Sequence, residues 1–152
     1  MDFKKNRMSD IQLEEVPEGK VYSTLSIRIA TFFGGIAVGA FMLAENFKVL
    51  GERRKATVTW VVAILIFILL VSATFIPFLD RIPPLAYPLI YAIVAGLAAR
   101  HYQGNLINEH IEKGGDVYSA GRVVVVALIG LVITAAFLLL IYLMVAAIAE
   151  RQ

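Results

Sequence analysis

The sequence predicts an all-α, polytopic membrane protein with four transmembrane helices, and its composition and charge pattern are the observations that predict it. Hydrophobic residues make up 59% of the 152-residue chain and charged residues only 17%, with a mean hydropathy of +0.77. Soluble domains are typically about half apolar and about a quarter charged. A chain of this size cannot bury so much apolar surface in one core, so the excess indicates contact with lipid.

Residues 1–21 are predicted to form a polar N-terminal tail. The first twenty residues contain five acidic and four basic side chains and lack the short apolar run of a signal peptide. We therefore expect an uncleaved, partly disordered tail. One four-helix transmembrane domain is expected over residues 22–152.

Charged residues separate four uncharged segments of sixteen, twenty-four, eighteen and twenty-seven residues. A helix rises about 1.5 Å per residue, so crossing a hydrocarbon core of about 30 Å takes about 20 residues. The two longer segments satisfy this directly, and the two shorter ones do so when charged side chains at their ends reach the interface. Lipid offers the backbone no hydrogen-bond partners, so each span is predicted as a helix. The predicted helices cover residues 24–47, 57–79, 84–102 and 122–149.

Small residues cluster in the first and third predicted helices. Gly35 and Gly39 are four residues apart beside Gly34, and Ala92 and Gly96 repeat that spacing in the third helix. In lipid, helices associate through close backbone approach rather than hydrophobic exclusion. We therefore expect these five residues to be helix-packing positions, with the first helix as the hub and the third as its neighbour.

Clusters of Lys and Arg predict the orientation, because cations next to a span are retained in the cytoplasm. Arg53, Arg54 and Lys55 follow the first helix and are predicted to be a topology anchor that also attracts anionic headgroups. With four alternating spans, seven cations near the spans lie on this side and four on the other. This count places both termini outside.

Several chemistries lack the residues that they need. The chain has no cysteine, and the four uncharged segments contain no acidic, basic or histidine side chain, which argues against thiolate chemistry and proton-coupled transport. His110 lies between Glu109 and Glu112 without the spacing of a zinc site, so no metal and no cofactor is predicted. We expect His110 to be exposed, in a short interfacial helix over 102–113 that Gly114-Gly115 ends. The net charge of +2 is too small to indicate a nucleic-acid partner.

Three patterns of small and polar residues follow one another from the start of the first predicted helix. They comprise Tyr22-Ser23, Ile27, Ala30-Thr31-Phe32, Gly34-Gly35 and Ala37; then Asn46-Phe47 and Leu50-Gly51; then Gln103-Gly104, Ile107, His110, Gly114-Gly115, Ser119 and Arg122. Together they resemble an uncharacterised family of small bacterial multi-span membrane proteins, and the resemblance implies no activity. It implies that residues 46–51 and 103–115 form one shared polar surface. We expect a multi-pass protein of the bacterial inner (cytoplasmic) membrane.

The residues of this predicted polar surface are Glu45, Asn46, Gly51, Arg100, Gln103 and His110. Glu45 and Arg100 each end a short span on the same side of the membrane. An ion pair between them would share the cost of leaving water, and the alternative is that each side chain reaches the headgroups separately.

These observations favour a non-catalytic structural or partner-binding subunit. Its expected partners are the lipid bilayer and either a second copy of the chain or another membrane protein. The alternative is a small transporter or channel that works as an oligomer, because four helices enclose little volume. A third interpretation, an interfacial lipid enzyme using Glu109, His110 and Asp116, is the least favoured, because no motif orders those groups into a catalytic site.

Overall fold

A computed structural model describes residues 19–73 and 81–150, and four helices make up most of this part of the chain. α1 runs over Thr24–Val49, α2 over Arg53–Ala73, α3 over Ala86–Glu112 and α4 over Ala120–Ala149. Two short strands, β1 (Lys20–Val21) and β2 (Asp116–Val117), pair in parallel, with Lys20 opposite Asp116. By length and composition, α1, α2 and α4 are apolar enough to cross a membrane. The prediction of an all-α fold with several helices able to cross a membrane is confirmed, and these helices suggest a multi-pass membrane protein.

α1 is folded in two, because the chain reverses direction at Gly35. Gly35 has φ +77° and ψ −172°, which is not a helical conformation. In a straight helix, positions 22 and 46 would be about 36 Å apart, yet the Tyr22 N–H donates to Asn46 Oδ1 at 2.7 Å. The helix predicted over 24–47 is therefore a hairpin, with a first arm (residues 24–34), a tip at Gly34–Gly35 and a second arm (residues 36–49).

The first arm of the hairpin runs parallel to α4. Tyr22 stacks on Tyr118 with ring centroids 4.3 Å apart, just before the two helices begin. At the tip, the Thr134 hydroxyl donates to the Gly34 carbonyl oxygen at 3.3 Å. This bond satisfies a carbonyl at the end of the first arm, where the helix leaves such groups without partners. The tip therefore lies beside the middle of α4, and the distal half of α4 continues past it.

The second arm runs parallel to α3. Gln103 Nε2 donates to the Leu43 carbonyl oxygen at 2.7 Å, and a Cβ added to Gly39 would lie 3.4 Å from the Ala95 Cβ. The buried residues of α3 recur every three or four positions and so form one stripe on the helix: Ala92, Gly96, Ala99, Gln103, Ile107 and His110.

α1 is the element that packs against each of the other three helices. The main core lies between the hairpin, α3 and α4, and includes Ile27, Met42, Ala99 and Val126. α2 follows the second arm and packs against it near the connecting turn, where Ala56 is buried with Ala44 and Phe47. Within residues 19–73 and 81–150, α2, α3 and α4 form no extended contact with one another.

The other predicted helices differ from the observed ones mainly at their ends. α2 begins at Arg53 instead of residue 57, and its predicted end over 74–79 lies outside the described residues. One continuous helix, α3, replaces the predicted span 84–102 and the predicted short helix 102–113. It ends before Gly114, whose φ is +85°. α3 is not among the candidate spans, since its C-terminal half is polar. Most of the predicted tail lies outside the described residues, but Lys20–Val21 belong to β1.

Most of the polar residues lie on one side of the molecule, where α1 begins and ends, α2 and α4 begin and α3 ends. Residues 19–23, 50–55 and 110–122 lie together there, joined by the β1–β2 pairing and by the packing of Gly19 against Val49. We call this region the polar end. Because α3 runs toward it, residues 81–85 at the start of α3 lie at the opposite end.

Replacing Gly35 with alanine should lower the free energy of unfolding by about 1–3 kcal/mol, because side chains are strongly disfavoured at this φ and ψ. The nearest side-chain atom to an added Cβ is 3.4 Å away, so the effect would come from the backbone and not from a collision. Thermal unfolding in detergent measures it. Gly121→Ala is the matched control, since that helical glycine has open space around it. Equal stability of the two variants would contradict the reversal at Gly35.

Candidate functional site

A buried cluster of amide side chains joins the two arms of the hairpin to α3. Asn46 Oδ1 accepts from the Tyr22 N–H at 2.7 Å, and Asn46 Nδ2 donates to the Tyr22 carbonyl at 2.8 Å and to Gln103 Oε1 at 3.1 Å. Gln103 Nε2 in turn donates to the Leu43 carbonyl. Both side chains have an exposed fraction of 0%. A fully bonded buried network of this kind fixes a single arrangement of the segments that it links.

The Asn46 side chain takes the place of a strand partner for Tyr22. One amide bonds both the N–H and the carbonyl of the same residue, as a neighbouring peptide group would. Those backbone groups lie just before α1, where a buried donor or acceptor without a partner would cost about 1–3 kcal/mol. Asn46 therefore holds the beginning of the hairpin against its end.

The structure brings together only part of the predicted polar surface. Asn46, Gln103 and His110 are buried, whereas Arg100 and Gly51 are exposed. The predicted ion pair between Glu45 and Arg100 is absent: Glu45 binds Lys48 Nζ at 2.5 Å on its own helix. Successive residues of a helix point about 100° apart. Because Asn46 faces α3, the Glu45 side chain is rotated about 100° away from α3 and so from Arg100.

His110 is buried, so the prediction of an exposed histidine is wrong. Its exposed fraction is 2%, and neither ring nitrogen has a hydrogen-bond partner in the protein. The reason is that α3 continues to Glu112, which puts His110 on the same buried stripe as Gln103 and Ile107. The ring lies directly over Gly115, where any Cβ would collide with it. Buried polar atoms without partners are uncommon, and each costs about 1–3 kcal/mol.

Tyr22, Tyr118 and Arg122 contact one another at the polar end and connect to the amide cluster through the Tyr22 backbone, and the sequence analysis missed this group. The Arg122 guanidinium lies 6.0 Å from the centre of the Tyr118 ring, a cation–π distance. Burial raises the pKa of the Tyr22 phenol, and a hydrogen bond from Arg122 only partly opposes this shift. The phenol is therefore neutral near pH 7. The four-residue spacing of Tyr118 and Arg122 was the available signal.

The predicted packing residues occupy different contacts. Gly34 lies against α4, where it closely contacts Gly130. The sequence analysis missed this contact. The available signal was the four-residue spacing of Gly130 and Thr134, which repeats the spacing of the predicted packing residues. Gly39 lies between Thr31 and α3. Gly35 supplies the reversal, so Gly35 and Gly39 do not share one helix face.

The remaining two predicted positions are on α3. Ala92 is buried, and Gly96 is covered by the Arg28 side chain.

The predicted topology anchor lies in the first turn of α2. Arg53, Arg54 and Lys55 are all exposed, and Lys55 Nζ pairs with Glu52 at 2.8 Å. Their placement at the polar end puts them beside the hairpin termini.

The residues considered for an interfacial enzyme do not contact one another through their polar groups: the two carboxylates have separate partners, and His110 has none among the described residues. Glu109 pairs with Lys113 at 2.9 Å, Asp116 pairs with Lys20 at 3.1 Å, and His110 is enclosed. Within the part of the chain that the structure describes, no group of three His, Asp or Glu side chains is placed to hold a metal ion.

Compared with known proteins, the chain matches no family model, no curated protein and no solved structure. The resemblance to an uncharacterised bacterial family therefore stays a prediction. The long apolar helices support its coarser content, that the chain is a small multi-span membrane protein.

Replacing Asn46 with leucine should lower the free energy of unfolding by about 2–4 kcal/mol, because it leaves the Tyr22 backbone and Gln103 without partners in a buried site. Thermal unfolding in detergent gives the measurement. Asn105→Leu, at an exposed position of α3, is the control and should change stability little. A loss at Asn46 no larger than at Asn105 would show that the amide cluster does not hold the hairpin.

Proposed function

We propose that this protein is a non-catalytic structural or partner-binding subunit of the bacterial inner membrane, with three crossing helices and one re-entrant hairpin. At about 1.5 Å per residue, the arms of α1 are about 16 and 21 Å long, shorter than a hydrocarbon core of about 30 Å. Both arms begin or end at the polar end. In this proposal α1 enters and leaves the bilayer from one side, instead of crossing it as one of four spans.

α3 becomes a crossing helix in this arrangement. α2 leads away from the polar end and α4 starts from it, so the chain returns through α3. The apolar part of α3, residues 86–99, lies toward the opposite end, and its polar part beyond Arg100 runs beside the base of the hairpin. Polar residues in α3 are thus accommodated where the hairpin and water replace lipid.

The folded hairpin changes the charge count that predicts orientation. It moves Lys20 and Arg28 to the same side as residues 53–55. Of the ten cations in the described residues, nine then lie in the half of the molecule toward the polar end, and Arg81 lies opposite. Because cations near spans are retained in the cytoplasm, this asymmetry supports a cytoplasmic polar end.

Single cysteines in this cysteine-free chain should report the orientation and the hairpin together. We expect Lys20→Cys and Arg54→Cys to react with a membrane-impermeant maleimide only after cell lysis, whereas Leu85→Cys reacts in intact cells. A four-span protein would place residues 20 and 54 on opposite sides. Labelling of Lys20→Cys but not Arg54→Cys in intact cells would therefore contradict the re-entrant arrangement.

The observation that carries the subunit role is the open packing of the helices. The distal half of α4 extends past the hairpin tip, and most of its large apolar side chains are exposed, including Leu138, Leu139 and Leu143. In this region α2 contacts α4 through the rings of Phe67 and Phe137, whose centroids are 5.2 Å apart. A helix that is apolar on all sides needs lipid or protein around it.

A photo-crosslinking residue at Leu139 should form adducts with protein, either a second copy of the chain or another membrane protein. Leu97 provides the control, because it is equally exposed apolar surface on a helix already packed along α1, and it should form lipid adducts. Denaturing gels and mass spectrometry of the purified adducts distinguish the two. Lipid adducts alone at Leu139 would contradict the subunit role.

The re-entrant hairpin favours a transporter or channel as a second candidate function. Non-helical backbone at membrane depth occurs where protein covers it or where it lines a water-filled cavity. Here Gly130 and Thr134 cover one side of the tip. Solute flux through liposomes containing the purified protein, together with lipid adducts alone at Leu139, would favour this candidate over the subunit role.

A further inference from the structure

A cleft opens between the second arm of the hairpin and α2 at the polar end. Lys48, Arg53, Ala56, Thr57 and Trp60 line it. We propose that this cleft binds the headgroup of an anionic phospholipid, with the phosphate at Arg53 and Lys48 and the acyl chains along Trp60. The proposal requires a membrane around α2, but it does not depend on the subunit role.

Arg53 is the principal anion-binding group of the cleft. Lys48 already pairs with Glu45, and Lys55 with Glu52, whereas Arg53 has no ion-pair partner among the residues that the structure describes. A guanidinium presents paired N–H donors that match two phosphate oxygens. The Lys48 ammonium adds a second positive charge across the cleft, partly compensated by the Glu45 carboxylate with which it pairs.

Along α2 the lining of the cleft changes from cationic to apolar, the same order as the headgroup and acyl chains of a phospholipid. Seven residues of helix separate Arg53 from Trp60, about 10 Å along the axis. Ala56 between them is 3% exposed, so its small side chain forms the floor without filling the cleft. Trp60 is 38% exposed, and exposed apolar residues such as Val61 and Ile64 follow it. Indole rings prefer the headgroup level of a bilayer, so the apolar end of the cleft lies where acyl chains begin.

The apolar half of the cleft distinguishes a lipid from a soluble phosphate. A free phosphate would contact the cations alone, whereas a phospholipid also covers Trp60 and the apolar face beyond it. The neighbouring cations also allow a specific binding site to be distinguished from general attraction of anionic lipids to positive charge. Arg54 and Lys55 are exposed on the same turn of α2 but do not line the cleft.

Trp60 is the only tryptophan in the chain, so its fluorescence reports this cleft directly. The protein is reconstituted in bilayers that mix phosphatidylglycerol and phosphatidylcholine, with bromine on the acyl chains of one lipid at a time. Brominated phosphatidylglycerol should quench Trp60 more than brominated phosphatidylcholine at equal mole fraction. Each cation that contacts a headgroup contributes about a fivefold preference, so Arg53→Gln should reduce the preference about fivefold.

Arg54→Gln is the matched control, since it removes the same charge one residue away and should leave most of the preference intact. Arg53→Lys, which keeps the charge, should retain part of it. Equal quenching by the two lipids in the unaltered protein, or equal losses from Arg53→Gln and Arg54→Gln, would overturn the proposal. Relief of quenching by inorganic phosphate at constant ionic strength would show a site for soluble anions and would also overturn it.

Discussion

The structure depends on closing the α1 hairpin. The reversal requires a positive φ, which Gly35 adopts without the backbone strain that any residue with a Cβ would have there. The two arms are then held together at their far ends by the amide of Asn46, which bonds both polar groups of the Tyr22 backbone. The glycine permits the turn, and the asparagine defines how the arms align.

The other elements take their places from the closed hairpin. Tyr22 lies beside Val21, so fixing it positions β1 for pairing with β2 and brings Tyr118 against it. α4 then starts alongside the first arm, and its Thr134 reaches the carbonyl of Gly34. On the other arm, Gln103 bonds both Asn46 and Leu43, which sets the position of α3. The amide cluster thus determines the alignment of three helices, whereas apolar side chains supply most of the buried surface.

The hairpin also reconciles the polar residues with a membrane environment. In the proposed re-entrant arrangement, its arms shield the amide cluster, and their short length leaves cations and carboxylates at the polar end. His110 is the exception within this arrangement, because it is enclosed and neither of its ring nitrogens is bonded. An apolar side chain of similar volume would avoid the cost of those unpaired atoms. The presence of an imidazole there is not explained by stability.

Composition and periodicity determined a good part of this protein. The excess of apolar residues over what one core can bury required lipid, and lipid required helices whose backbones are bonded internally. The outer limits of α1 and α4 and the end of α3 before Gly114 follow from charge spacing and glycine placement. Only the tertiary structure decided that α1 is folded in two, because hydropathy averages over both arms and does not register the dihedral angles of one glycine. It also decided that Asn46, rather than Glu45, faces α3, since that choice depends on the rotation of a packed helix. The contact between Asn46 and Gln103 joins residues 57 positions apart, and no local pattern specifies a partner at that distance.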